Sequence, residues 1–195
     1  MSRGAFIIAI LITIYLATYQ SSAIILFPAT LLLAGMMMEY QLERKGTGFK
    51  KGDEPETRQT RQLTTTTVYY SVIGFVGILV TGYTINVVKY ITSLAITSYD
   101  AALFSSLMAI SEEMFFRGFI TDFLLTSIKL PYLALFTSAG IFTIYHLARY
   151  GTQIDSLIFV FAGGFILSWI AYKSRSLGPS IISHTLNNII ATLSM

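Results

Sequence analysis

Apolar residues along this chain of 195 residues come in long runs and do not alternate with polar ones. The stretches 4–38, 62–88, 130–145, 156–172 and 176–195 carry no Lys, Arg, Asp or Glu, or carry them only at their ends. A strand or an amphipathic helix of a water-facing domain would interrupt such runs every few residues. A helix that crosses a bilayer needs about 20 apolar residues in succession. On that ruler the pattern predicts an all-α protein, a polytopic transmembrane helix bundle of about seven spans (six to eight). They fall at roughly 5–19, 23–40, 67–88, 102–125, 131–148, 155–172 and 177–194.

What lies between the runs sets the organisation. Gln20-Ser21-Ser22 divides the first run into two spans. Residues 41–66 hold six basic and four acidic residues with Gly46, Gly48, Gly52 and Pro55, a composition that predicts a polar cytoplasmic loop. The semi-polar stretch from Lys89 to Asp100 either extends a helix or lies in the interface. The beginning of the chain, with Arg3, an apolar run from Ala5 to Ala17 and small residues through Ala23, has the pattern of a signal peptide. A retained anchor is the expectation. With no internal repeat, low-complexity run or separate soluble domain, residues 1–195 read as a single integral membrane domain.

Composition sharpens this picture. The chain is 54% hydrophobic, 12% charged and free of cysteine, whereas a soluble domain carries about 25% charged residues. A soluble globular protein, a disordered chain and a disulfide-stapled secreted module are excluded. The net charge of +3 is no phosphate-binding patch, because the cations sit mainly in short loops, so the bilayer is a partner and nucleic acid is not. With a cytoplasmic N-terminus, ten of the 13 basic residues fall inside and two (Lys89 and Arg149) outside, while Arg117 lies within a span. That bias predicts a multi-pass protein of the cell membrane with its N-terminus in the cytoplasm. Compactness and the absence of cysteine fit a bacterium or archaeon.

Ionisable groups inside spans are costly and so mark function by default. Glu112, Glu113 and Arg117 sit in the middle of the fourth span; His146 lies near the end of the fifth and His184 in the seventh, the only two histidines of the chain. Glu113 and Arg117 are four apart and can pair along a helix, while Glu112 points about 100° away toward a cavity. The two carboxylates thereby gain different environments and different tasks. His184 and Asn188 share one helix face, as do Phe142 and His146. Each feature alone has a structural explanation: Glu113–Arg117 as a neutralised pair, His146 beside Arg149 as an interface residue, Asn187 and Asn188 as helix–helix hydrogen-bond glue. Two carboxylates, both histidines and an asparagine drawn from three spans point instead to chemistry.

These residues resemble the motifs of the CAAX protease and bacteriocin-processing (CPBP, or Abi) family of intramembrane glutamate proteases, to which the prenyl-protein CAAX endopeptidase belongs. Glu112, Glu113 and Arg117 match its Glu-Glu-x-x-x-Arg motif, Phe142 and His146 its Phe-x-x-x-His motif, and His184 and Asn188 its His-x-x-x-Asn motif. The Phe161-Ala-Gly-Gly run, the Tyr-Lys-Ser-Arg-Ser-Leu linker and Pro179 are also similar to the family's stretch between its last two spans. The resemblance covers residues 101–195, which would be the catalytic helices. It implies a membrane endopeptidase without cofactor or metal, acting on a peptide or prenylated protein. Glu112 and His146 would activate water, His184 and Asn188 would stabilise the oxyanion, and Glu113, Arg117 and Phe142 would support them.

Other readings stay open on the residues alone. Glu112, His146 and His184 also make a His₂Glu set of the type that binds catalytic zinc. The usual His-Glu-x-x-His helix is absent. A non-catalytic bacteriocin-immunity protein and a proton-coupled carrier are the rivals from other classes. Seven spans with a cytoplasmic N-terminus put Glu112 near mid-membrane, His146 toward the outer face and His184 about seven residues from the inner one. The four groups are nevertheless expected to converge on one cavity.

Overall fold

A computed structural model describes residues 56–85 and 99–193, and among these residues every regular element is a helix. The elements are α1 (Glu56–Thr84), α2 (Tyr99–Phe115), a π-helical turn (Phe116–Thr121), α3 (Asp122–Ser127), α4 (Pro131–Tyr150), α5 (Ile154–Ser174) and α6 (Gly178–Leu193). The expected spans 5–19 and 23–40 and the stretch 89–98 lie outside the described residues. Each of the other five expected spans corresponds to a helix, α2 through α3 forming one rod. Residues Thr65–Thr84 and Ile154–Ser174 are long and apolar enough to cross a membrane. One boundary differs from expectation: α1 begins at Glu56, inside the stretch 41–66 read as loop. After Pro55 no further proline or glycine interrupts the chain before Gly74, so nothing local stops a helix there.

The rod from Tyr99 to Ser127 bends its hydrogen-bond ladder just past the acidic pair. The Thr121 hydroxyl donates to the Phe116 carbonyl, five residues back, at 2.9 Å, and lies 2.7 Å from the Ser138 hydroxyl of α4. A side chain inserted into the ladder in this way is a known cause of local widening, and π turns gather at functional sites. All six residues of the turn are buried.

Pro131 starts α4, where its missing N–H costs nothing. Gly151, at φ 56° and ψ −128°, ends that helix in a conformation that side chains avoid. The chain then turns within three residues into α5, so α4 and α5 run antiparallel and pack closely.

Small residues bring α1, α5 and α6 together. A Cβ added at Gly74 would lie 2.5 Å from Ile170 Cδ1 and 2.6 Å from Ser183 Oγ. The Ser183 hydroxyl is shared between the carbonyls of Ser71 on α1 and Pro179 on α6. Close approach through glycine and serine is how helices associate where lipid removes the hydrophobic drive between them. The outer face of α1 agrees: Val68, Val72, Val76 and Val80, one turn apart, are all exposed. A water-facing monomer rarely presents such a stripe.

Candidate active site

The rod carrying Glu112, Glu113 and Arg117 packs against α6, and its π turn touches α4 and α5. All three side chains are buried, Arg117 and Glu113 completely and Glu112 with 4% of its surface exposed. Such charges persist in an interior only when each is paired.

Arg117 Nη1 lies 3.0 Å from Glu113 Oε1, the pair expected from the four-residue spacing. Its Nη2 donates to the Gly164 carbonyl in the middle of α5 at 3.2 Å. The guanidinium also sits 4.3 Å from the centre of the Phe142 ring on α4, a cation–π contact. One buried arginine therefore ties three elements together. Glu113 does more than hold Arg117: its Oε1 also accepts a hydrogen bond from His184 Nδ1 at 2.8 Å.

His146 Nδ1 donates to the Phe142 carbonyl one turn back at 2.9 Å. The two histidines are thus fixed alike, with Nδ1 spent on an acceptor and Nε2 turned inward. Both Nε2 atoms face one oxygen: Glu112 Oε2 lies 3.9 Å from that of His146 and 3.7 Å from that of His184. The Phe142 ring packs between them, 4.4 Å from the His146 ring and 6.1 Å from that of His184. Two histidines placed toward opposite faces by span counting thus both come within 4 Å of Glu112 Oε2.

Asn188 takes a different position. Its Nδ2 donates to the Ser105 carbonyl on α2 at 3.2 Å, next to a contact of 3.3 Å between the Ser105 and Thr192 hydroxyls. Among the described residues no group of three or more His, Cys, Asp and Glu is arranged to hold a metal ion.

Sequence reasoning missed two contributors. Gly164 supplies the carbonyl for Arg117, and a Cβ on it would stand 3.0 Å from Phe142 Cδ1. That ring cannot yield freely, being wedged against Phe116, Arg117 and His146. Gly164→Ala should displace the Phe142–His146 pair by a few tenths of an ångström and slow turnover roughly tenfold. Steady-state kinetics of the folded variant would check this. The second contributor is the Glu113–His184 bond, which crosses between helices and leaves no trace in local spacing.

Residues 94–190 match a family model described as type II CAAX prenyl endopeptidase Rce1-like, a segment that contains all seven motif residues. No curated protein and no solved structure matches the chain.

Proposed function

The chain belongs to the CAAX protease (CPBP) family of membrane proteases, and from that premise we propose that it is an intramembrane endopeptidase in which Glu112 acts as general base. The observation that carries this reading is the convergence of both histidine Nε2 atoms on Glu112 Oε2. In the bundle of about seven spans read from the sequence, this cluster lies within the membrane and the substrate is a peptide or prenylated protein terminus delivered there.

The chemistry follows from the fixed ring orientations. A water molecule entering beside Glu112 donates one hydrogen to Oε2 and the other to His146 Nε2, and its oxygen attacks the peptide carbonyl carbon. The C–O bond forms, the carbonyl π electrons move onto oxygen, and Glu112 takes the proton. His184, oriented by Glu113, and Asn188 stabilise the oxyanion. Collapse of the tetrahedral intermediate breaks the C–N bond, and Glu112 returns the proton to the leaving amine. Glu113, Arg117 and Phe142 position the histidines and touch no substrate.

The test uses the purified full chain, a farnesylated CAAX peptide and an unmodified control, with products identified by mass. Cleavage of the farnesylated peptide at one bond is the expected result. It should persist after exhaustive dialysis against EDTA, because no step passes through a metal. Loss of activity in chelator with recovery on adding zinc would replace Glu112 as base by a zinc-bound water. Failure to cleave either peptide would favour the immunity-protein alternative.

A further inference from the structure

The end of α4 carries a cation that the hydrolytic scheme leaves unused. Arg149 is exposed and stands three residues beyond His146 on the same helix. Its guanidinium carbon lies 5.4 Å from the centre of the Tyr150 ring, and that ring stacks on His146 with centroids 6.1 Å apart and planes at 13°. The Arg149 charge also acts electrostatically on Glu112, Tyr145 and His146. It is therefore near the reacting centre without being part of it.

Arg149 forms no ion pair among the described residues. The other cations from Tyr99 onward cannot replace it. Arg117 is buried and committed to Glu113 and Gly164. Lys129, Lys173 and Arg175 lie at the opposite ends of α4 and α5, about 30 Å away along the helices. The exposed guanidinium is therefore open to an anionic group of a ligand.

We propose that Arg149 is a specificity determinant that receives the free C-terminal carboxylate of the substrate while the scissile carbonyl lies at Glu112. This inference rests on the CAAX-protease reading above. In a CAAX terminus the bond after the cysteine is three residues from the carboxylate, and an extended chain covers that in about 10 Å. Along α4 the rise from His146 to Arg149 is about 4.5 Å, and the long arginine side chain spans the remainder. The planar guanidinium matches a carboxylate in a two-pronged hydrogen-bonded pair, which a terminal amide cannot form. Arg149 would thus measure the distance from the bond to the chain end, making the enzyme cut near a free C-terminus.

The experiment compares kcat/KM for a farnesylated CAAX peptide with a free C-terminal acid and for the same peptide as its C-terminal amide. Wild type, Arg149→Gln and Arg149→Lys are measured side by side. Wild type should favour the acid by roughly tenfold or more, the worth of a hydrogen bond to a charged group. That ratio should fall toward one in Arg149→Gln and be partly restored in Arg149→Lys. An acid-to-amide ratio near one in wild type, or a ratio that Arg149→Gln leaves unaltered, overturns the proposal and returns Arg149 to a lipid-headgroup contact. Failure of the proteolytic reading looks different: wild type then cleaves neither peptide, and this inference falls with it.

Discussion

Glu112→Gln is expected to lower the turnover of a CAAX peptide about 1,000-fold, within the 10²–10⁴ range for loss of a positioned general base. That is about 4 kcal/mol of barrier. Glutamine has nearly the same shape, so the packing around a side chain with 4% of its surface exposed should survive. What it cannot do is accept the proton of the attacking water. Its amide also turns N–H groups toward two imidazole Nε2 atoms that now lie 3.7 and 3.9 Å from a carboxylate oxygen. The defect should therefore appear in kcat, with KM and the thermal midpoint close to wild type. A variant that retains a tenth or more of wild-type kcat would remove Glu112 from the mechanism.

Arg117→Ala should have the largest effect on stability. The guanidinium is wholly buried and serves Glu113, the Gly164 carbonyl and the Phe142 ring together. Removing one partner of a buried pair costs about 3–5 kcal/mol, because the other charge is left uncompensated. Set against a total stability of about 5–15 kcal/mol, this should lower the melting midpoint by about 10 °C or more, or prevent the folded protein from accumulating. The same substitution frees Glu113 from its anchor and so loosens His184. Arg117→Lys would restore the charge but not the fork that reaches both Glu113 and Gly164. Thermal melting in detergent measures the series, and a midpoint within two or three degrees of wild type for Arg117→Ala would show that the cluster does not depend on the pair.

Much of the candidate site was legible in the sequence because its parts obey local rules. Glu113 and Arg117 pair at the expected spacing, and Phe142 lies against His146 one turn on. The scarcity of charge made three ionisable groups within six residues conspicuous. The all-helical character of the described residues also followed from the apolar runs. Contacts made between helices were not legible. The bond from His184 to Glu113, the Gly164 carbonyl beneath Arg117 and the attachment of Asn188 to Ser105 depend on stagger and rotation, which no spacing encodes. Nor did the sequence disclose the π turn, since Thr121 looks like any helical threonine until its hydroxyl is seen bonded to Phe116. The early start of α1 is hidden for a related reason: a polar stretch that follows Gly46, Gly48, Gly52 and Pro55 reads as loop, although Gln and Arg are good helix formers.

The central claim is that Glu112 takes a proton from water and does not itself attack the peptide. It is tested most directly by a single turnover in ¹⁸O-labelled water, followed by mass analysis of the product and of the enzyme fragment containing Glu112. Direct attack by water predicts one ¹⁸O atom in the new carboxylate of the product and none in Glu112. A product without the label, with ¹⁸O found in the Glu112 side chain, would reveal an acyl-enzyme and contradict the account.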